Sequence, residues 1–469
     1  MVSEVAVAVH ECSKGGWNEM GSNGVAVAGG FGGTRLRRLH GRLASDELPR
    51  RADAVVVGGG IVGLAAAYEL AEQGMKVCLL DRSQAGSAQS TRNWGFIRQQ
   101  GRCVEELPLM IEATRMWLEL EKRLGCDMDL VQGGNLRLTD SPDRAEDYHH
   151  WIDMARSYGL DSRVALAEEV EQIMPGFAGR YLMAIFTPSD GQVNPVKAVA
   201  AYVGALRGLD VEIREDYRAT AIVTAAKQVV GVQTDDGFIA TSTVVLAAGA
   251  GSKTLLRSVG LEVPIHFVGQ TVALTTAVPK LTNACVWTGE IGFRQARSGG
   301  IVLSSGGLGD VKVDIDSLAS LLSPRQFSQA FPMYWKNREY LRIRPRELIG
   351  ALTSRTKDGS FKDVARYSDV AHAHETLSRY FPELRCSLSM AWAGTIDGTP
   401  DALPVLDAVD QLSGLVVATG MSGHGFGIAP AVGKIVADLV TGGSSKFDLR
   451  PFRLRRFRDG GSRAPQHLL

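Results

Sequence analysis

No apolar run in this chain reaches the about 18 residues that a membrane-spanning helix needs, so nothing in it reads as a bilayer span. Net charge is missing as well. Lys plus Arg and Asp plus Glu each total 51, which leaves no long-range field to draw the protein to nucleic acid or to an anionic membrane. The six cysteines, at positions 12, 78, 103, 126, 285 and 386, are scattered, with no CxxC pair and no His/Cys cluster at metal-ligand spacing. That pattern excludes a zinc ribbon or a disulfide scaffold and reads as reduced thiols in a cytoplasmic setting. A small-molecule partner is what these absences leave.

What is present is an ordinary globular composition, 45% hydrophobic and 22% charged over 469 residues, long enough for two or three lobes. The first 50 residues stand apart. They hold short apolar patches such as Val5 to Val9, the Gly-rich stretch Gly29 to Gly33, and a basic run at Arg35, Arg37, Arg38 and Arg42 with no apolar segment after it. This is read as a flexible N-terminal extension; an organelle-targeting peptide is the alternative, because the segment is poor in acids and rich in Arg.

The strongest local signal starts at Asp53. Ala54 to Val57 form a short apolar strand and run into Gly58-Gly59-Gly60-Ile61-Val62-Gly63; Leu64, Ala67, Tyr68 and Ala71 then recur at helical spacing, Gly74 closes the helix, and Lys76 to Leu80 supply a second strand. Asp81 stands 18 residues beyond Gly63, near the position where an acid bonds a ribose hydroxyl. The residue types suit a dinucleotide: Gly58 permits the tight turn, Gly60 lets backbone approach a pyrophosphate, Gly63 lets helix and strand pack closely, and the helix N-terminus faces the phosphates.

Further along, strand-like stretches at Val211 to Ile213, Thr220 to Val223, Val229 to Gln233 and Phe238 to Ala240 surround the hairpin signal Asp236-Gly237 and lead to the apolar Thr243 to Leu246, which ends in Ala247-Ala248-Gly249. Near the C-terminus, Gly414 to Gly420 form a strand, followed by Met421-Ser422-Gly423-His424-Gly425-Phe426-Gly427 and a helix expected from about Ile428 to Val440. Segments 104 to 125 and 143 to 158 read as helices, residues 262 to 315 as several short strands, and about 316 to 345 as an aromatic-bearing helical insertion, with a lid or a membrane-facing patch as the alternative.

Taken together, residues 50 to 458 resemble the FAD-dependent D-amino-acid oxidase superfamily, which includes glycine and sarcosine oxidases, opine and hydroxyproline dehydrogenases and bacterial L-amino-acid deaminases. The resemblance implies an α/β plus α+β fold: a Rossmann-type FAD-binding domain with an interleaved antiparallel-sheet substrate domain. By position, 51-135, 190-260 and 395-458 would form the discontinuous FAD domain, and 136-189 and 261-394 the substrate domain. The family also implies cofactor contacts. Beyond the first fingerprint, with Arg82 after Asp81, Ser90, Thr91, Arg92, Asn93 and Gly95 match the segment wrapping the pyrophosphate and the flavin ring, and Ala219 the position meeting the adenine. Ala248 and Gly249 match the small pair beside the cofactor; Gly425, Phe426, Gly427 and Ile428 match the C-terminal flavin loop. Some relatives attach flavin through Cys or His, and spacing leaves that open here.

In this family the flavin takes a hydride from Cα and the imine hydrolyses in water, so no Ser/His/Asp arrangement or paired carboxylate is required, and none is evident. A cation for the substrate carboxylate is required, and Arg suits it through its planar fork. The deaminase branch, which the stretches Phe293-Arg294-Gln295 and Ser298-Gly299-Gly300 resemble, implies Arg294 for this role; Arg98, Gln99, Gln100 and Arg102 form a second polar cluster that either lines the substrate pocket or, for Arg98 and Arg102 at i and i+4, is a solvated helix face. The glycine oxidases' carboxylate-binding Arg has no counterpart, because Trp392-Ala393-Gly394-Thr395 stands there. His424 is read as a loop histidine. The expected activity is oxidation of the CH-N bond of an amino acid or secondary amine, with oxygen or a quinone as acceptor. A 2-hydroxy-acid dehydrogenase on the same fold, or a flavin-bearing subunit of a larger dehydrogenase complex, are the alternatives.

Overall fold

Ala54–Val57 (β1) and Val77–Leu80 (β2) are buried at every position, as apolar runs without polar alternation require when both sheet faces are covered. They pair in parallel, Ala54 with Val77 through Val57 with Leu80, around helix α1 (Ile61–Glu72). The computed structural model describes residues 26–27, 48–306, 309–312, 341–342 and 364–461. Most of the expected N-terminal extension and most of the expected 316 to 345 insertion lie outside the described residues.

After β2 the chain runs through a two-residue strand β3 (Phe96–Ile97), helix α2 (Leu107–Leu124), β4 (Asn135–Thr139), α3 (Pro142–Ser157), β5 (Met183–Thr187), β6 (Gly191–Gln192) and α4 (Pro195–Gly208). It continues with β7 (Glu212–Arg214), β8 (Ala219–Ala225), β9 (Gln228–Thr234), β10 (Gly237–Ala240) and β11 (Val244–Leu246). Then come β12 (His266–Thr275), β13 (Cys285–Trp287), β14 (Ile291–Gln295), β15 (Ile301–Ser305), α5 (Tyr367–Tyr380) and β16 (Leu388–Gly398), and finally β17 (Val405–Ala408), β18 (Leu415–Thr419) and α6 (Gly425–Thr441).

Six of these strands make one sheet in the order β17-β18-β11-β1-β2-β7, parallel except at the β17 edge. Helices α1, α2, α4 and α6 cover one face in a shared apolar core, and the antiparallel β8-β9-β10 sheet contributes to the core on the other. Gly433 of α6 lets that helix lie on α1: a Cβ there would stand 2.7 Å from the Ala65 carbonyl.

Most of a second, eleven-stranded sheet runs β16-β12-β15-β14-β13-β4-β5, antiparallel among these strands except for the β13–β4 pair, with α5 in the core behind it. The parallel sheet thus draws on residues between 54 and 80, 212 and 246, and 405 and 419. The large sheet draws on 135 to 187, 266 to 305 and 388 to 398, and β16 crosses the boundary expected at residue 395. Helix α6 begins at Gly425, three residues earlier than the sequence suggests. Glycine disfavours helix through its backbone freedom, but the site has no room for a side chain, since a Cβ on Gly425 would meet Met421 at 2.8 Å.

Candidate active site

The carboxyl ends of β1, β2, β11 and β18 open into a cavity of about 830 Å³ that the large sheet roofs, at the edge where open parallel sheets bind ligands. At one end of it, Asp81 and Tyr217 to Ala219 meet, with the Tyr217 amide donating to the Asp81 carbonyl. The Asp81 carboxylate accepts from the Gly59 amide at 2.7 Å and from the Ser83 amide at 2.8 Å. Burial raises its pKa, and those hydrogen bonds oppose the rise.

In the middle stands the N-terminus of α1, whose cap residue Gly60 carries no side chain to satisfy the first amides. The glycines are sterically enforced. Gly58 has φ +110°, and a Cβ there would lie 2.3 Å from the Ala247 carbonyl oxygen; one on Gly63 would lie 1.9 Å from the Gly58 oxygen. A helix end whose cap residue has no side chain, in a glycine-lined cradle, fits the pyrophosphate of FAD, and the cavity is of a size for an extended ligand.

Most residues expected at the cofactor lie on this wall. Gly58, Gly60, Ile61, Val62, Asp81 and Arg82 line it; so do Ser90, Arg92 and Asn93, Ala219, Ala248 and Gly249, and Gly425 to Gly427. Four stand one layer back. Gly63 closes the α1–β1 contact, Thr91 donates to the Gly86 carbonyl at 2.9 Å, Gly95 packs against the Val193 carbonyl, and Ile428 is buried in α6. Ser90 Oγ accepts from the Ile61 amide at 2.8 Å, which ties the wrapping segment to the start of α1.

The opposite end of the cavity is lined by Trp94, Phe96, Arg98, Arg102, Asn135, Arg137 and Trp287. Trp94 stacks on Trp287 at 5.1 Å and 27°, with Phe96 edge-on to Trp94 at 5.3 Å, which walls this end with apolar rings. Gly292 of β14 makes the close approach possible, because a Cβ there would meet the Trp94 ring at 2.4 Å.

Two of the expected substrate residues, Arg294 and Gln100, do not line this wall. Arg294 lies behind it: its Nε donates to the Trp94 carbonyl and its Nη1 to Gln192 Oε1 at 3.0 Å, so the guanidinium holds the Trp94 turn in place. Gln100 is fully buried, donating to the Asn135 carbonyl and to Thr187 Oγ1, both at 3.0 Å. Arg294→Met should therefore act on stability. It strands one buried acceptor, Gln192 Oε1, and one partly buried one, the Trp94 carbonyl, at about 1–3 kcal/mol each, and thermal or denaturant unfolding should register a loss of about 2–4 kcal/mol.

Arg98 does face the cavity, with two partners the sequence did not single out as anchors. A Cβ on Gly101 would stand 2.7 Å from Arg137 Nη1 and 3.0 Å from Arg98 Nη1, so the two guanidiniums converge on one point. Arg98 donates to the Gln100 carbonyl at 2.7 Å, and Arg102 Nε to the Arg98 carbonyl at 3.1 Å. Arg137 forms no ion pair among the described residues; its guanidinium lies 5.9 Å from the rings of Tyr148 and Trp287. Burial lowers the pKa of Arg98 and of Arg137; nearby Arg102 and Arg137 add to it for Arg98, and Arg144 and Arg102 for Arg137. The sequence carried one signal of this: along β4, Asn135, Arg137 and Thr139 alternate with Leu136 and Leu138, and all five are buried.

Glu106 and His424 complete the chamber. His424 caps α6 and lines the cavity, with Nδ1 at 2.8 and 3.1 Å from the two oxygens of the fully buried Glu106. Burial and Arg102 depress the His424 pKa to about 4, against the pull of Glu106. Burial disfavours the charged form of Glu106, yet His424 and Arg102 hold its carboxyl below the usual range. A neutral imidazole thus faces a carboxylate.

Because the folded pKa of His424 lies below the ordinary 6.5, its contribution to stability is present above pH 6.5 and lost as pH falls toward 4. Asp190 and Asp397, each pushed up to about 6 by burial, titrate with the opposite sign in that range. The readout is therefore the difference in unfolding free energy between wild type and His424→Gln, which should shrink between pH 6.5 and 4.

Comparison with known proteins agrees with this geometry. A family profile described as FAD dependent oxidoreductase matches residues 53–439. The glycine oxidase of Geobacillus kaustophilus is 26% identical over 423 residues, covering 87% of this chain and 98% of the relative. Human mitochondrial sarcosine dehydrogenase is 23% identical over 88% of this chain, which spans 42% of that protein's length. Among solved structures, the L-amino acid deaminase of Proteus myxofaciens, determined with anthranilate, superposes with a TM-score of 0.81 at 23% identity, over 88% of this chain and 96% of that one.

Proposed function

Because the chain belongs to the family of FAD-dependent oxidoreductases, we propose that its cavity holds FAD, with the adenine at Ala219, the ribose at Asp81 and the pyrophosphate at the N-terminus of α1. We further propose that an amino acid is oxidised at the CH-N bond in the arginine-lined chamber. FAD, when bound, supplies the acceptor for the hydride leaving Cα. The observation that carries the substrate class is the charge of the chamber. Arg98, Arg102 and Arg137 face two acids, Glu106 and Asp190, so one buried cation awaits an anion. A substrate carboxylate meets that need, and Arg137 is the residue to receive it, since no described acid pairs with it.

The rest of the chamber serves the same chemistry. The Trp94–Trp287 wall excludes water and places the carboxylate end against the arginines. The first turn of α6, with its unpaired amides and dipole, presents a partly positive edge to the middle of the cavity. Gln100 and Arg294 position the walls from behind. No described helix is long and apolar enough to cross a membrane.

The test is anaerobic bleaching of the flavin chromophore by a panel of L- and D-amino acids, N-methyl amino acids and 2-hydroxy acids. Bleaching by amino compounds is expected. Bleaching by hydroxy acids alone would move the assignment to the hydroxy-acid reading, to which the Glu106–His424 pair also offers a base.

A further inference from the structure

An amino acid arrives at neutral pH as an ammonium, with its nitrogen lone pair engaged in an N–H bond. Hydride can leave Cα only when that lone pair is free to form the C=N bond, so one proton has to go first. Among the described residues that line the chamber, His424 offers a base to take it. The Glu106 carboxylate can only accept at His424 Nδ1, which fixes the hydrogen on Nδ1 and leaves Nε2 with its lone pair. His424 stands on the cavity wall at the cap of α6.

We infer that His424 Nε2 takes the proton of the substrate's ammonium group, with Glu106 as the residue that orients the imidazole and offsets the charge it acquires. This rests on the amino-acid reading above. In the step, an N–H bond of the ammonium breaks and an Nε2–H bond forms; the imidazolium is matched by Glu106, and the proton passes to water after product leaves.

The charged groups facing His424 are Arg98 and Arg102 from the segment before α2 and Glu106 from the cap of α2, where Arg102 Nη1 lies 4.0 Å from Glu106 Oε2. In the ligand-free chamber the arginines oppose a protonated imidazole. A carboxylate set among them cancels part of that field, while burial of the ammonium favours its neutral form. The substrate's own acid group thus prepares the base that deprotonates its amine.

The decisive experiment is anaerobic stopped-flow reduction across pH for wild type, His424→Gln and Glu106→Gln. At pH 7 the rate of reduction at sub-saturating substrate should fall by about 100-fold in both variants, because without the base only the scarce free amine binds productively. The deficit should close as pH rises toward the ionisation of the free amine, and should be absent with an N-aryl amino acid, whose nitrogen is already neutral. A second readout avoids turnover. A 2-methyl amino acid, which has no hydrogen on Cα, should bind wild type without net proton release in calorimetry performed in two buffers, and His424→Gln with release of one proton. A pH-independent loss, an unchanged profile, or identical proton release in both proteins would overturn the assignment. If no amine bleaches the wild type, the amino-acid reading falls and takes this assignment with it; proton release in the calorimetry separates that failure from a fault in His424 alone.

Discussion

Gly63→Ala yields a colourless protein. The added Cβ would lie 1.9 Å from the Gly58 oxygen, and that oxygen belongs to backbone that cannot retreat, because Gly58 is itself wedged against the Ala247 carbonyl. Either α1 lifts away from β1 or the turn deforms, and both move the helix end that faces the pyrophosphate. Overpacking of this kind costs about 1–3 kcal/mol or more, and the distortion falls on the cofactor cradle. The ratio of flavin to protein after purification should drop to near zero. Gly74→Ala is the control: Gly74 has φ +81°, but a Cβ there would meet nothing within 4 Å, so the substitution should cost about 1 kcal/mol through backbone strain and leave the flavin in place. Retention of full flavin by Gly63→Ala would refute the cradle.

Arg137→Met should divide substrate binding from stability in the opposite sense to Arg294→Met. Losing one charge-assisted contact to a carboxylate costs about 1.5–3 kcal/mol, or about 10- to 150-fold in kcat/KM. Folding should not suffer, because the variant removes a buried cation that repels Arg98 and Arg102 and has no acid partner among the described residues. Steady-state kinetics together with unfolding curves check both halves. A variant that unfolds easily yet keeps its kcat/KM would return Arg137 to a structural role and reopen the question of the anchor.

What the sequence revealed depended on how local the signal was. The first βαβ unit is legible because strand, glycine turn, helix and Asp81 all fall within 54 to 81, and its steric logic is contained there. The hairpin at Asp236-Gly237 and the strand β11 were equally local. Arg294 stands behind the cavity wall and not on it, and the sequence could not show this because β14 is buried on both faces: alternation along Ile291–Gln295 does not say which face borders the cavity. Arg137 reaches the chamber through the parallel pairing of β4 with β13, which joins residues about 150 apart. His424 and Glu106 are separated by 318 positions and meet only because α6 and α2 pack in one layer.

The central claim is that one cavity holds FAD and, beside it, an amino acid gripped by its carboxylate. Anaerobic titration of the wild-type protein with an amino acid and with the amine that lacks only the carboxyl group tests it most directly. The account predicts that the amino acid bleaches the flavin at concentrations at least about 10-fold lower than the amine. Equal bleaching by the two would show that the arginines do not hold the substrate, and would contradict it.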